Sequence, residues 1–269
     1  YEFPNATSPK DRIVFAGLKI DDMPSLTDPE VLPAEYGTHV FPDDRVIGVA
    51  VSDDAKAYPL KILAFHEAVN DHVGGKAVLV TYCTLCDSAA VFHRSFDGRE
   101  MEFGISGMLF NSNTLLYSRT GEGIKSLWSQ MKCEAVTGPN SGTKLATIPL
   151  EVTTWADWTR RYPETRALSK FTDHEDKIDY RKNPTGNYLQ IEDLWYPAEP
   201  ADNRLPRKTP VLAVWTNQAA RAYPLPAFAE WQEPREFRQS LDGEEFTLRY
   251  DPATKSLRVI GGAGGLQQM

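Results

Sequence analysis

Val46 to Leu60 reads VIGVAVSDDAKAYPL and Val211 to Leu225 reads VLAVWTNQAARAYPL; laid over one another without a gap, at an offset of 165 residues, they share seven identities. Each stretch is a β-rich run, a polar turn at Ser52 to Asp54 or Thr216 to Gln218, a second short strand and a Tyr-Pro-Leu stop. A weaker echo follows in the same order. Phe96-Asp97-Gly98-Arg99-Glu100 then Met101 to Ile105 parallels Leu241-Asp242-Gly243-Glu244-Glu245 then Phe246 to Tyr250, both hairpin-like with Asp-Gly turns. Two ordered matches predict a β-rich α+β fold made of two related antiparallel β units, an internal repeat, with a few short helices and a long ordered connector. The units are expected at residues 1–170 and 211–269, joined by 171–210, all within one compact structural domain.

What the second copy lacks is as informative. Trp231 stands where the first copy has His66, and nothing after Trp231 corresponds to Val80 to His93 before the Asp242-Gly243 turn. The framework therefore does not require His66 or the cysteine segment, which assigns them to chemistry or to a local staple. In the first copy, apolar residues at 62, 63, 65, 68 and 69 predict an amphipathic helix over Leu60 to Val69, ended by Gly74-Gly75. Strands are expected at Lys76 to Tyr82, Ala89 to Phe96 and Met101 to Ser106, with the cysteines at the tip of the first hairpin. Glu134 to Ile148 reads as strand, turn, strand. Thr154 to Tyr162 reads as a helix capped by Thr153 or Thr154, with Trp155 and Trp158 facing the core. Phe171 to Pro210 lacks periodicity but carries Tyr180, Tyr188, Trp195 and Tyr196, so it is expected to cross the surface as an ordered connector; the tail Gly261 to Met269 is expected to fray.

The chain has 269 residues, and its 29 basic against 37 acidic residues give a net charge of −8, which argues against a nucleic-acid partner. The basic groupings, Arg160-Arg161 and Arg204 to Lys208, read as solvated surface. No apolar run approaches the ~20 residues of a membrane-spanning helix. Neither phosphate-binding glycine pattern is present, and Gly104-Ile105-Ser106-Gly107 lacks the frame of a serine-hydrolase elbow.

Chemistry concentrates in Cys83-Thr84-Leu85-Cys86, whose spacing lets both sulfurs converge on one metal ion or on each other. His66 is the best third ligand, with Glu67, Asn70 and Asp71 as groups that could orient it; His93 is a weaker fourth. Two thiolates and an imidazole favour one transition-metal ion, copper before zinc before iron. The rival uses of the pair are a structural disulfide in a metal-free scaffold and, ranked last, a redox dithiol. Redox pairs of the thioredoxin type open a helix, whereas this one leads into a strand. Cys133, near Trp128, reads as a buried free thiol. Ser106 and Asn111-Ser112-Asn113-Thr114 read first as turn residues, and His39, His72 and His174 receive no role.

Tyr58-Pro59-Leu60, His66-Glu67, Asn70-Asp71, Tyr82-Cys83-x-x-Cys86, Phe103-Gly104-x-Ser106-Gly107, Ser126 to Gln130 (SLWSQ), Gly138-Pro139 and Thr154-Trp155-x-x-Trp158 together resemble the domain-of-unknown-function family 3179. The likeness runs from about Asp44 to about Leu225. His66, Glu67, Cys83 and Cys86 fall on the family's motif positions; His93 stands where an acidic residue is expected and Cys133 where glycine is common. The stretch Arg119 to Lys125 is looser than the family's usual approach to its Ser-Leu-Trp-Ser-Gln motif. The resemblance implies export, to a periplasmic, lipid-anchored or extracellular place, and the start at Tyr1 reads as a processed or truncated N-terminus; a cytoplasmic protein is the alternative. The expected function is metal-dependent redox chemistry on a small molecule, or metal exchange with a donor or acceptor protein.

Overall fold

Arg45–Val51 and Asp54–Pro59 carry β-branched and small side chains around a two-residue turn, and they pair as an antiparallel hairpin from Val46↔Pro59 to Val51↔Asp54. The computed structural model of the chain describes residues 3–96, 98–119, 125–216, 218–262 and the backbone of 267–268. The hairpin is the centre of a five-stranded sheet, flanked by Glu151–Thr154 on one side and by Arg166–Leu168 and Val31–Pro33 on the other. The fold is β-rich, with several antiparallel sheets and two α-helices among the described residues. No helix there is long and apolar enough to cross a membrane.

The first helix, α1 (Leu60–His66), is shorter than its hydrophobic pattern predicts. Glu67 takes a left-handed conformation (φ 53°) and its N–H closes on the Leu63 carbonyl, after which Ala68–Val73 is a strand. Val69, Asn70, Asp71 and Val73 favour extended backbone or turns over helix, and pairing with Lys76–Cys83 satisfies their ladder hydrogen bonds. Gly74 and Gly75 (φ 55° and 71°) are thus a two-residue hairpin turn, not a helix stop. Lys76–Cys83 then pairs with Ser88–His93, from Val78↔His93 to Cys83↔Ser88, so both cysteines lie at the end of that hairpin as expected. Next to this sheet stands a second one of five strands, in the order Ile13–Phe15, Phe103–Phe110, Asn113–Ser118, Leu127–Ser129 and Glu134–Thr137. The predicted return strand before Ile148 is reduced to isolated bridges at Lys144 and Thr147.

The second helix, α2 (Trp155–Arg161), starts at Thr154, whose hydroxyl accepts the Asp157 N–H, and buries Trp155 and Trp158. The connector has no strand and a single 3-10 turn, Tyr188–Gln190; it is tied down by Tyr188, fully buried, and by Tyr196, whose hydroxyl donates to the Ala16 carbonyl. Two basic groupings are not the solvated surface expected of them. Arg161 pairs with Glu151 and Asp157, and the Lys208 ammonium donates to the carbonyls of Tyr188, Ile191 and Asp193 while lying 3.5 Å over the Tyr188 ring.

Val211–Trp215 and Ala220–Pro224 form a hairpin whose pairs, Val211↔Pro224 to Trp215↔Ala220, have the register of Val46↔Pro59 to Ala50↔Ala55 displaced by 165 residues. A 3-10 turn, Leu225–Phe228, follows in place of α1. Arg235–Leu241, Glu244–Asp251 and Ser256–Gly262 complete this part, around a core of its own that includes Leu212, Tyr223, Phe246 and Leu248. Asn217, Asp97 and most of the tail after Gly262 lie outside the described residues, as does the interior of the stretch Arg119 to Lys125.

Candidate functional site

The hairpin end places two sulfurs side by side. Cys83 ends its strand fully buried, and the turn to Ser88 brings back Cys86, which is partly exposed; their Sγ atoms lie 4.0 and 3.4 Å from one acceptor, the Ser112 carbonyl. All three cysteines are free, Cys133 being buried beside Trp128 as expected. The facing hairpin, Phe103–Phe110 with Asn113–Ser118, supplies the rest of the wall. Asn111 and Ser112 both take left-handed backbone at its turn, which aims the Ser112 carbonyl and the Asn113 side chain at the cysteines. Asn113 donates from Nδ2 to the Cys86 sulfur at 3.7 Å and to Gln130 Oε1 at 2.8 Å. Gln130 also accepts from Ser88 and donates to Thr81, so the amide that faces Cys86 is held by a closed network.

The two thiols are inequivalent. The Cys83 S–H, with help from Asn113 and Ser88, donates to Cys86 and lowers its pKa against the opposing pull of burial. Burial raises Cys83, and donation to Cys86 raises it further. Glu67 completes the cluster. Its left-handed backbone turns the carboxyl under the hairpin end, where Oε1 accepts the Thr84 N–H at 3.2 Å and the Thr84 hydroxyl at 2.9 Å. Burial raises its pKa, and its charge acts on both sulfurs. From the connector, Tyr188 closes the site; burial raises its phenol, and the proximity of both thiols adds to that.

His66 is adjacent to Glu67 in sequence and turned to other partners. Its Nδ1–H donates to the Pro24 carbonyl at 2.6 Å and its Nε2 accepts from the Tyr180 hydroxyl at 2.6 Å, which Thr172 in turn contacts. The rings of His66 and His174 stand 5.6 Å apart. Burial lowers the His66 pKa to about 4. Both ring nitrogens are thus engaged, and among the described residues no set of three or more His, Cys, Asp or Glu side chains comes together to hold a metal ion. The three-ligand arrangement expected of Cys83, Cys86 and His66 is not assembled. Nor does Asp71 orient His66: it accepts from the buried Lys56 ammonium at 2.8 Å and the Tyr58 hydroxyl at 2.7 Å. His93 is five ladder pairs from the cysteine end of the hairpin, roughly 16 Å at strand rise, because a hairpin separates its ends by its own length.

Asn113, Gln130, Thr84 and Tyr188 carry no motif that sequence reasoning could read as chemistry. Asn111 to Thr114 is legible as a turn and no more, and the SLWSQ run that delivers Gln130 as a motif without a partner. Cys86 opens into a cavity of about 740 Å³ lined by the thiol hairpin, the connector and the C-terminal part. The family model described as "Protein of unknown function (DUF3179)" matches residues 20–263, and the chain belongs to that family. No curated protein and no solved structure matches it.

Proposed function

We propose that this member of the DUF3179 family is a thiol–disulfide redox protein, with Cys86 as the attacking thiol and Cys83 as the thiol that resolves the mixed disulfide. The observation that carries the reading is the asymmetry of the pair. Cys86 is the more acidic and more accessible sulfur, held by Cys83, Asn113 and Ser88, while Cys83 is buried behind it. The missing helix N-terminus, which ranked this use last in the sequence, is replaced by side-chain donors that favour the thiolate in the same way.

The Cys86 thiolate attacks one sulfur of a disulfide, the S–S bond breaks, and the first thiolate leaves. Cys83 gives up its proton and attacks Cys86 Sγ, the second thiolate leaves, and a Cys83–Cys86 disulfide remains; the protein loses two electrons and the substrate gains them. Ionised Glu67, whose charge acts on Cys83, is the buried base that favours this deprotonation. Equilibration in glutathione buffers, quenched by alkylation and read by mass, tests it. Both thiols are expected to oxidise in one two-electron step, and Cys83→Ala is expected to stall as a mixed disulfide on Cys86. A pair that stays reduced in oxidising buffer, or a mixed disulfide on Cys83 alone, overturns the assignment.

The convergence of both sulfurs on one carbonyl favours a second reading, capture of a single soft monovalent ion such as Cu(I) by two thiolates without His66. Elemental analysis of protein purified without chelators separates the two. About one equivalent of copper, lost in Cys83→Ser/Cys86→Ser, favours metal capture. Either use suits an exported protein.

A further inference from the structure

Cys86 lies in the wall of the cleft formed where the C-terminal part and the connector close over the thiol hairpin, and the volume of this cleft is in the range of small-molecule sites. Its apolar lining comes from both sides, with Met131 beside the hairpin, Leu194 on the connector, and Leu212 and Leu257 in the C-terminal part. A disulfide on the surface of a folded protein would have to enter between these walls to meet the sulfur, so the cleft selects a slender partner.

The charges around it are unbalanced once partners are assigned. Asp87 pairs with Arg45 at 2.9 Å, Glu151 with Arg161 and Arg258, and Asp202 with Arg204. Lys208 is occupied by three carbonyls. Arg207 and Lys255 line the same cleft, are exposed, and have no carboxylate partner among the described residues. Every carboxylate lining the cleft is neutralised, and two cations are not.

Resting on the redox reading above, we infer that the substrate of the cleft is a low-molecular-weight disulfide with an apolar body and at least one anionic group, held by Arg207 and Lys255 while Cys86 attacks its sulfur. The two thiolates that leave carry the anionic groups away as thiols, and the protein retains the Cys83–Cys86 disulfide.

Two aromatic disulfide probes test this on the reduced, full chain: 5,5′-dithiobis(2-nitrobenzoate), which carries two carboxylates, and 4,4′-dithiodipyridine, which is neutral. Each rate is normalised to that of 2-mercaptoethanol with the same probe. The normalised rate is expected to be higher for the anionic probe, and the anionic-to-neutral ratio to fall about fivefold in Arg207→Ala/Lys255→Ala and also with added salt, as for attraction between exposed charges. Lys10→Ala, an exposed site on the first 3-10 turn, is expected to keep the ratio. Equal ratios in the parent and the double variant, with Cys86 modified in both, overturn the anionic substrate and leave the redox reading standing. Failure of both probes to modify Cys86 in folded protein, while they modify it in denaturant, overturns the redox reading and this inference with it.

Discussion

Two hairpins of this chain share sequence, register and the turn that follows, and differ in what is packed on them. Over Arg45–Val51 and Asp54–Pro59 lie α2 and then α1, which delivers His66 and Glu67; over Val211–Trp215 and Ala220–Pro224 lie a 3-10 turn and the aromatic cluster of Phe228, Trp231, Phe237 and Tyr250. The hairpin is a platform indifferent to chemistry. One position shows the consequence: Gly48 in the first hairpin corresponds to Ala213 in the second. A Cβ at Gly48 would meet the Trp158 ring at 2.3 Å, and that ring is fixed by burial and by its Nε1–H bond to Thr165.

The largest effect expected from breaking this difference is therefore Gly48→Ala, which should destabilise the protein by about 3 kcal/mol, the upper range for overpacking a rigid core. The reciprocal Ala213→Gly should cost about 1 kcal/mol or less, as a strand glycine does. Urea unfolding of both variants checks the pair; equal costs would mean that the two hairpins carry equivalent packing.

Next comes the contrast between His66 and Trp231. An unfolded chain binds a proton at His66 near pH 6.5 and the folded protein only near pH 4, so the unfolded state holds more protons between those values and stability falls as pH falls through them. The shift corresponds to about 3 kcal/mol, complete by about pH 4. His66→Gln, which can still donate to Pro24 and accept from Tyr180, should flatten the stability profile in that window, the residual slope coming from His174 and the carboxylates. A slope unchanged from the parent would show that His66 does not carry the acid sensitivity.

The smallest expected effect concerns Glu67, for which the second part has no structural counterpart beneath its hairpin. Glu67→Gln keeps the carbonyl oxygen that Thr84 binds and removes the base beside Cys83. Resolution of the mixed disulfide should slow about tenfold at neutral pH while the first attack by Cys86 is retained. Rapid quenching and mass analysis would show the mixed disulfide accumulating; its absence would assign Glu67 a purely structural role.

The strands around both hairpins, the capped helix at Thr154, the cysteines at a hairpin end and the buried Trp155, Trp158 and Cys133 were legible in the sequence, because each follows from a pattern within a few residues. The length of α1 was not. Five apolar positions fit a helix through Val69, but the ladder with Lys76–Cys83 offers Asn70 and Val73 more than helix propensity does, and Glu67 absorbs the reversal. His66 and the cysteines look like one site because they are close in sequence and absent together from the second copy. They part because consecutive residues after a helix end point to different faces, His66 toward Pro24 and Tyr180, Glu67 toward Thr84.

The sequence by itself determined the secondary-structure alphabet of this protein, its paired hairpins and the identity of the two reactive sulfurs, since hydrogen-bond periodicity and side-chain chemistry are local properties. Only the tertiary structure decided which thiol is the more acidic and what surrounds it. Asn113, Gln130 and Tyr188 reach Cys86 from 27, 44 and 102 positions along the chain, and burial, which raises Cys83 and Glu67 and depresses His66, exists only once distant segments have excluded water from them.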